Sequence, residues 1–112
     1  ITLLPGEHLF YGGDQSDAIY ILKSGELQVY KKTAGEIVEL AIINQQQMIG
    51  EMALINRSLR SASIKALAPS QVLRLHLGDV DKFIDEQPFW MRMLINTLTK
   101  RISESNQKLM QK

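Results

Sequence analysis

Between Ile49 and Ala66 the chain reads Ile-Gly-Glu-Met-Ala-Leu-Ile-Asn-Arg-Ser-Leu-Arg-Ser-Ala-Ser-Ile-Lys-Ala, which places the carboxylate of Glu51 nine residues ahead of the guanidinium of Arg60. Good helix formers directly after Gly50 predict one helical turn starting near Glu51, then a polar loop from Asn56 to Arg60, inserted between strands. The N–H groups that open such a turn have no partner within it and favour an anion. A guanidinium folded back beside them makes a phosphate site. Glu51 cannot bind phosphate, but as a pure acceptor it suits sugar hydroxyls. The small residues Gly50, Ala53, Ser61 and Ala62 let backbone approach a ligand closely. A hydroxyl acceptor next to a cationic phosphate donor describes a ribose phosphate. A helix-start Glu paired with a surface Arg explains the same residues, and on spacing alone that plainer arrangement is preferred.

The remaining reactive side chains point elsewhere. His8 and His76 are isolated, so the His-x-His cluster with a further His and a carboxylate that a metal-dependent barrel enzyme requires is missing; no metal site is expected. Asp14 and Asp17 suit turn capping better than calcium binding. Ser58, Ser61 and Ser63 have no His partner, which leaves nucleophilic catalysis without a base. The methionines at 48, 52, 91, 93 and 110 read as core or seam filler. No catalytic residue and no enzymatic activity are expected.

The elements that must hold the Glu51–Arg60 segment are short strands punctuated by turns. Pro5-Gly6 and Gly12-Gly13-Asp14 are turn signals, and Ser24-Gly25 stops the compact run Ile19-Tyr20-Ile21-Leu22. Leu27 to Tyr30 alternates as a half-buried strand, and Thr33-Ala34-Gly35 turns the chain into Ile37 to Ile43, rich in β-branched residues. Ser63 to Leu67 and Gln71 to Leu75 alternate again on either side of Ala68-Pro69-Ser70. Such spacing predicts a sandwich, jelly roll or barrel. After Gly78 the period becomes helical, with Asp79 expected to cap a short helix through Phe83 and Ile84, and Pro88 near the first turn of the next. In that last helix Met91, Ile95, Leu98, Ile102, Ser105 and Leu109 follow spacings of four and three, the coiled-coil period, while Trp90, Met93 and Leu94 form another face expected to pack on the barrel.

With 112 residues, 45% hydrophobic and 22% charged, the chain has the size and core of one domain. No cysteine is present, which excludes disulfides and thiolate metal sites and is compatible with the cytoplasmic location expected here. No apolar run approaches the ~20 residues a membrane helix needs. The chain opens without an initiator Met and reads as a trimmed or partly ordered piece. Residues 1–56 carry seven acids and three bases, and residues 57–112 five acids and ten bases. A net charge of +1 is too small for a nonspecific nucleic-acid binder, and the basic half reads as a solvated terminal helix.

Gly50-Glu51-Met52-Ala53-Leu54 followed by Arg60-Ser61-Ala62-Ser63 resembles the phosphate-binding cassette of the cyclic-nucleotide-binding domain family. Leu4-Pro5-Gly6-Glu7, Leu9-Phe10, Gly13-Asp14, Ser16-Asp17, Tyr20 and Ser24-Gly25-Glu26-Leu27 resemble that family's opening strands and turns. The similarity runs from residue 3 to about 84 and into the helix beyond; Ile49 stands where many members have Phe. The resemblance implies that Glu51 accepts the ribose 2′-hydroxyl, that Arg60 and nearby backbone N–H groups of the Gly50–Ala53 turn, Met52 included, hold the cyclic phosphate with Ala62 among the phosphate and ribose contacts, and that Ser61 adds a hydroxyl near the phosphate or base. It also aligns Val29 and Leu40 with barrel residues that touch sugar or base. A small residue at position 61 goes with cAMP and Thr with cGMP in eukaryotic relatives; Ser is ambiguous by that rule, though bacterial cAMP regulators commonly use it.

Within the family the chain is most similar to the sensor domain of catabolite activator protein and its CRP/FNR-like relatives. From Arg60 the register runs without a gap through Pro88 and Arg101 to Ser105 and Asn106, where that subfamily reads adenine across a dimer; Asn106 replaces its Ser. The resemblance thus implies a mainly β chain with C-terminal α, a double-stranded β-helix or jelly-roll (β-roll) over residues 1–77 with a cassette at 49–63, and helices over 79–112. The expected ligand is cAMP, alternatively cGMP, with no other cofactor. The expected partner is a second copy through residues 89–112, and occupancy is relayed through the last helix by a population shift. The alternatives are a regulatory domain of a channel, kinase or other signalling protein, and a barrel that binds no nucleotide. Operator binding by this chain alone is not expected, because a helix-turn-helix needs a further ~60 residues.

Overall fold

In a computed structural model, residues 1–54, 57 and 59–110 are described, with backbone alone for Met52, Leu54 and 106–110. The strands are β1 (Thr2–Leu3), β2 (His8–Phe10), β3 (Ala18–Ser24), β4 (Leu27–Thr33), β5 (Glu36–Ile43), β6 (Gln47–Ile49), β7 (Ser63–Ala66) and β8 (Ser70–His76). A single 3-10 turn, Glu51–Leu54, lies between β6 and β7, and helices α1 (Leu77–Asp85) and α2 (Phe89–Met110) follow. The strands form two four-stranded sheets in the orders β1-β8-β3-β6 and β2-β7-β4-β5, with antiparallel pairing throughout. This is the mainly β roll with C-terminal helices that strand spacing and resemblance predicted.

The core explains why β3 reads as a continuous apolar run. Ala18, Tyr20 and Leu22 pack between the sheets against Leu27, Ile49, Ile64 and Val72. Ile19 belongs to a second buried cluster with Ala53 and Leu77, supported by Leu75 and Val80. A strand buried on both faces has no polar face to show. The second cluster matters for the site, because it joins the 3-10 turn to the start of α1 across the back of β3. The β3–β4 corner is equally tight. A Cβ on Gly25, at φ +113°, would lie 2.2 Å from the Ser70 hydroxyl oxygen. That hydroxyl donates to the Ala68 carbonyl at 2.8 Å and accepts from the Glu26 N–H at 3.1 Å.

The expectations for the helices need correction. Helix α1 starts at Leu77, not after Gly78, and His76 occupies the capping position without a side-chain cap. Asp79 therefore lies within the first turn and caps nothing. Burial of Leu77, 2% exposed, draws the helix start inward, and its N–H donates to the Asp17 carbonyl at 3.0 Å. The predicted strand over Ile37 to Ile43 forms, but Ile43 is its one buried residue. It is the edge strand of its sheet, so Ile37, Val38, Leu40 and Ile42 remain exposed. In α2, Trp90, Met93 and Leu94 do not pack on the barrel but stay about half exposed or more. The partly covered stripe is Met91, Ile95, Thr99 and Ser103, and Ile95 and Thr99 share a cleft with Asp81, Ile84 and Asp85 of α1. The expected seam is thereby split: Met91 and Ile95 lie on the covered stripe, whereas Leu98 and Ile102 join Trp90 and Leu94 in an exposed row at four-residue spacing. Leu109 of that seam lies outside the described side chains.

Candidate functional site

The Gly12-Gly13-Asp14 turn sets the position of Arg60. The Asp14 carboxylate accepts from the Tyr11 N–H at 2.9 Å, a local turn cap. The Arg60 N–H then donates to the Asp14 carbonyl at 2.7 Å, and the Gly13 N–H donates to the Arg60 carbonyl at 2.8 Å. One bridge pairs Gln15 with Leu59, and the Gly12 N–H donates to the Ser63 hydroxyl at 2.8 Å. The segment entering β7 is thus held against a turn nearly fifty residues away in sequence.

From that anchor the Arg60 side chain runs into the protein and is 8% exposed. Its Nη2 donates to the Ala18 carbonyl at 2.5 Å, and its guanidinium carbon lies 4.3 Å from the Phe10 ring centroid and 5.7 Å from that of Tyr20. Gly50, at φ +77°, completes this seat: a Cβ there would stand 2.5 Å from Arg60 Nη1. The position requires glycine twice, for backbone conformation and for the space the guanidinium occupies.

Beside the guanidinium lies a cavity of about 330 Å³, within the size range of small-molecule sites. Gly50, Glu51, Ala53, Arg60, Ser61 and Ala62 line it, as does Val29 from β4. Glu51 opens the 3-10 turn and is exposed, whereas Ala53 is buried and its N–H closes the turn onto the Gly50 carbonyl at 3.0 Å. A carboxylate acceptor, a buried cation and small residues around one cavity form the pairing that suits a ribose phosphate.

Other predicted residues lie apart. Leu40 is half exposed and does not line the cavity. The β4–β5 pairing shifts between Val29↔Ala41 and Tyr30↔Glu39, which leaves Leu40 as the unpaired residue of a bulge. Arg101 and Ser105 are exposed on α2, away from the cavity walls. The side chains of Met52 and Asn106 lie outside the described residues.

Phe10 and Ser16 are among the cavity residues that sequence reasoning did not assign to the site. Phe10 shares a strand with His8, and strict alternation would place both on one face. A register shift between them pairs His8 with Lys65 and Phe10 with Ile64, turning the ring inward. Ser16, 9% exposed, also lines the cavity, and its neighbours Gln15 and Asp17 give no periodic signal. His8 instead sits 2.6 Å, Nε2 to hydroxyl, from Tyr30 and stacks on Tyr11 at 4.1 Å. Burial, then the charge of Lys65, hold its pKa below the ordinary 6.5, against the opposing pull of a hydrogen bond to the Gly6 backbone.

In sequence and fold the chain is similar to known proteins. The sequence model of the cyclic nucleotide-binding domain matches residues 1–87. The Cyclic AMP receptor protein of Thermus thermophilus is 30% identical over 105 residues, covering 93% of this chain and 49% of that protein. The crystal structure of Thermus thermophilus Catabolite Activator Protein is similar with a TM-score of 0.72 at 28% identity, covering 97% of this chain and 52% of that one. A structure of the EAL enzyme Bd1971 in its half-site-occupied form is similar with a TM-score of 0.83 at 27% identity, covering 95% of this chain and 96% of that one. The chain spans about half the length of the Thermus receptor. Among the described residues, no helix is long and apolar enough to cross a membrane.

Proposed function

This chain belongs to the cyclic nucleotide-binding domain family, and on that premise we propose that its cavity takes one molecule of cAMP and that the chain is the sensor half of a CRP/FNR-like transcription regulator. The observation that carries the reading is the buried guanidinium of Arg60, seated against Gly50 at a cavity that Glu51 also lines. Arg60 and the turn's N–H groups take the cyclic phosphate, Glu51 accepts the ribose 2′-hydroxyl, and Ser61 offers a hydroxyl beside the phosphate. Val29 lies against sugar or base. Preference for cAMP over cGMP rests on the similarity to the Thermus receptor.

The relay uses the cluster that joins Ala53 of the turn, Ile19 of β3 and Leu77 of α1. Movement of the turn toward a bound phosphate displaces the first residue of α1, and the helices follow. A second copy of the chain covers the exposed row of α2 and brings Ser105 and Asn106 to the adenine of its neighbour. A second reading, a nucleotide-responsive domain attached to an enzyme, draws on the similarity to the EAL enzyme.

Calorimetric titration with cAMP and separately with cGMP, with sedimentation of free and loaded protein, tests this. Tight cAMP binding by a dimer supports the activator-like reading, and binding by a monomer favours the enzyme-attached one. Arg60→Ala removes the partner of a largely desolvated phosphate and costs about 2–5 kcal/mol of binding. Unchanged affinity in that variant overturns the site. Glu51→Gln weakens binding less, because an amide oxygen still accepts from the ribose.

A further inference from the structure

We propose that Phe10, with Tyr20 behind it, is the positioning residue of this site: the two rings form an aromatic shelf that holds the Arg60 guanidinium desolvated and ready for an anion. The proposal rests on the reading of Arg60 as the phosphate-binding cation. Arg60 is a buried charge, and no carboxylate lies within ion-pair distance of it among the described residues. A buried cation left alone is strongly unfavourable. Compensation comes instead from the Phe10 face at 4.3 Å, the Tyr20 ring at 5.7 Å and the Ala18 carbonyl. The rings support each other, with centroids 5.8 Å apart at an interplanar angle of 39°.

This choice of partners has a consequence for binding. A carboxylate paired with Arg60 would have to be displaced by an arriving phosphate. A ring face attracts the cation through its quadrupole, uses none of its N–H donors, and remains in place once the anion arrives. The Ala18 carbonyl takes one donor of the five, leaving the rest of the fork available. The β2 register shift that turns Phe10 inward is therefore part of the phosphate site.

The test is a double-mutant cycle on the whole protein, read by calorimetry with cAMP and by the Arg60 Nε–H proton resonance in nucleotide-free protein. Phe10→Leu lowers cAMP affinity about three- to thirty-fold in the wild-type background and not further in the Arg60→Ala background. Phe10→Tyr keeps the ring face and restores affinity to within about twofold. No loss in Phe10→Leu, or an equal loss in both backgrounds, overturns the proposal, since a merely structural ring does not couple to Arg60. In nucleotide-free protein the Arg60 proton lies upfield through the Phe10 ring current and returns to its ordinary position in Phe10→Leu. If the wild type binds neither cAMP nor cGMP, the nucleotide reading fails by itself, and the resonance decides the shelf: a shift that Phe10→Leu removes supports it, and an ordinary position overturns it.

Discussion

Arg60 is 8% exposed and held by backbone bonds to the Gly13-Asp14 turn, a carbonyl of β3 and two ring faces, whereas Trp90, Leu94, Leu98 and Ile102 stand about half exposed or more along α2. Around the cavity, side chains from both sheets and the 3-10 turn close on one another, so a polar group can be stored away from water in a defined orientation. On α2 the chain supplies apolar surface that no other described residue covers. A site that must recognise a small ligand is prepared in advance. A surface that changes its contacts with ligand state has to remain incomplete within a single chain. The Ala53–Ile19–Leu77 cluster joins the cavity's turn to α1, and α1 in turn shares a cleft with α2.

Removing that link has the largest expected effect. Leu77→Ala deletes a side chain that is 2% exposed and costs about 2–5 kcal/mol of stability, read by denaturant unfolding. If Leu77 also couples the two regions, the change that nucleotide causes in α2 hydrogen exchange shrinks in the same variant. Gly50→Ala strikes the prepared region alone. Its positive φ costs about 1–2 kcal/mol, and its Cβ pushes the guanidinium from its seat, so nucleotide affinity falls by on the order of tenfold in calorimetry.

The incomplete region responds in the opposite way. Leu98→Glu changes monomer stability by no more than about 0.5 kcal/mol because Leu98 is already exposed, yet nucleotide-loaded protein no longer sediments as a dimer. A loss of stability without loss of dimer would mean that the exposed row packs within its own chain. The smallest effect concerns His8, which shares β2 with Phe10 but does not line the cavity. Its pKa is lowered in the folded state, so the unfolded chain binds more protons at mildly acid pH. The stability that neutral His8 contributes is present above about pH 6.5 and is lost as pH falls from there through the lowered value. His8→Gln flattens that part of the stability–pH curve while leaving nucleotide affinity unchanged.

Much of the cassette was legible because its residues are local in sequence. Gly50, Glu51, Ala53, Arg60, Ser61 and Ala62 lie within thirteen positions and reach one cavity because a single turn and one loop bring them there. The strands were legible from alternation and glycine punctuation, and Val29 on one of them lines the cavity. Phe10 and Leu40 were not legible in the same way. Each sits at a register shift, and one extra residue reverses the face on which a side chain falls. The start of α1 was misplaced because local propensity favours a break at Gly78, while burial of Leu77 repays helix formation two residues earlier. The faces of α2 were exchanged for a related reason: apolar spacing shows that a helix has two faces, but not which one α1 takes.

Sequence alone determined the class of the fold, because strand periodicity and turn residues are properties of short stretches of chain, while the cassette and its chemistry came from the resemblance of Gly50–Leu54 and Arg60–Ser63 to a known family and not from the spacing of Glu51 and Arg60. Tertiary structure decided that Arg60 is buried on the rings of Phe10 and Tyr20, that the Gly12-Gly13-Asp14 turn is its backbone anchor, and that α2 keeps one apolar row uncovered. Those facts depend on residues nearly fifty positions apart meeting in one core, and no local pattern specifies which distant partner fills a given space.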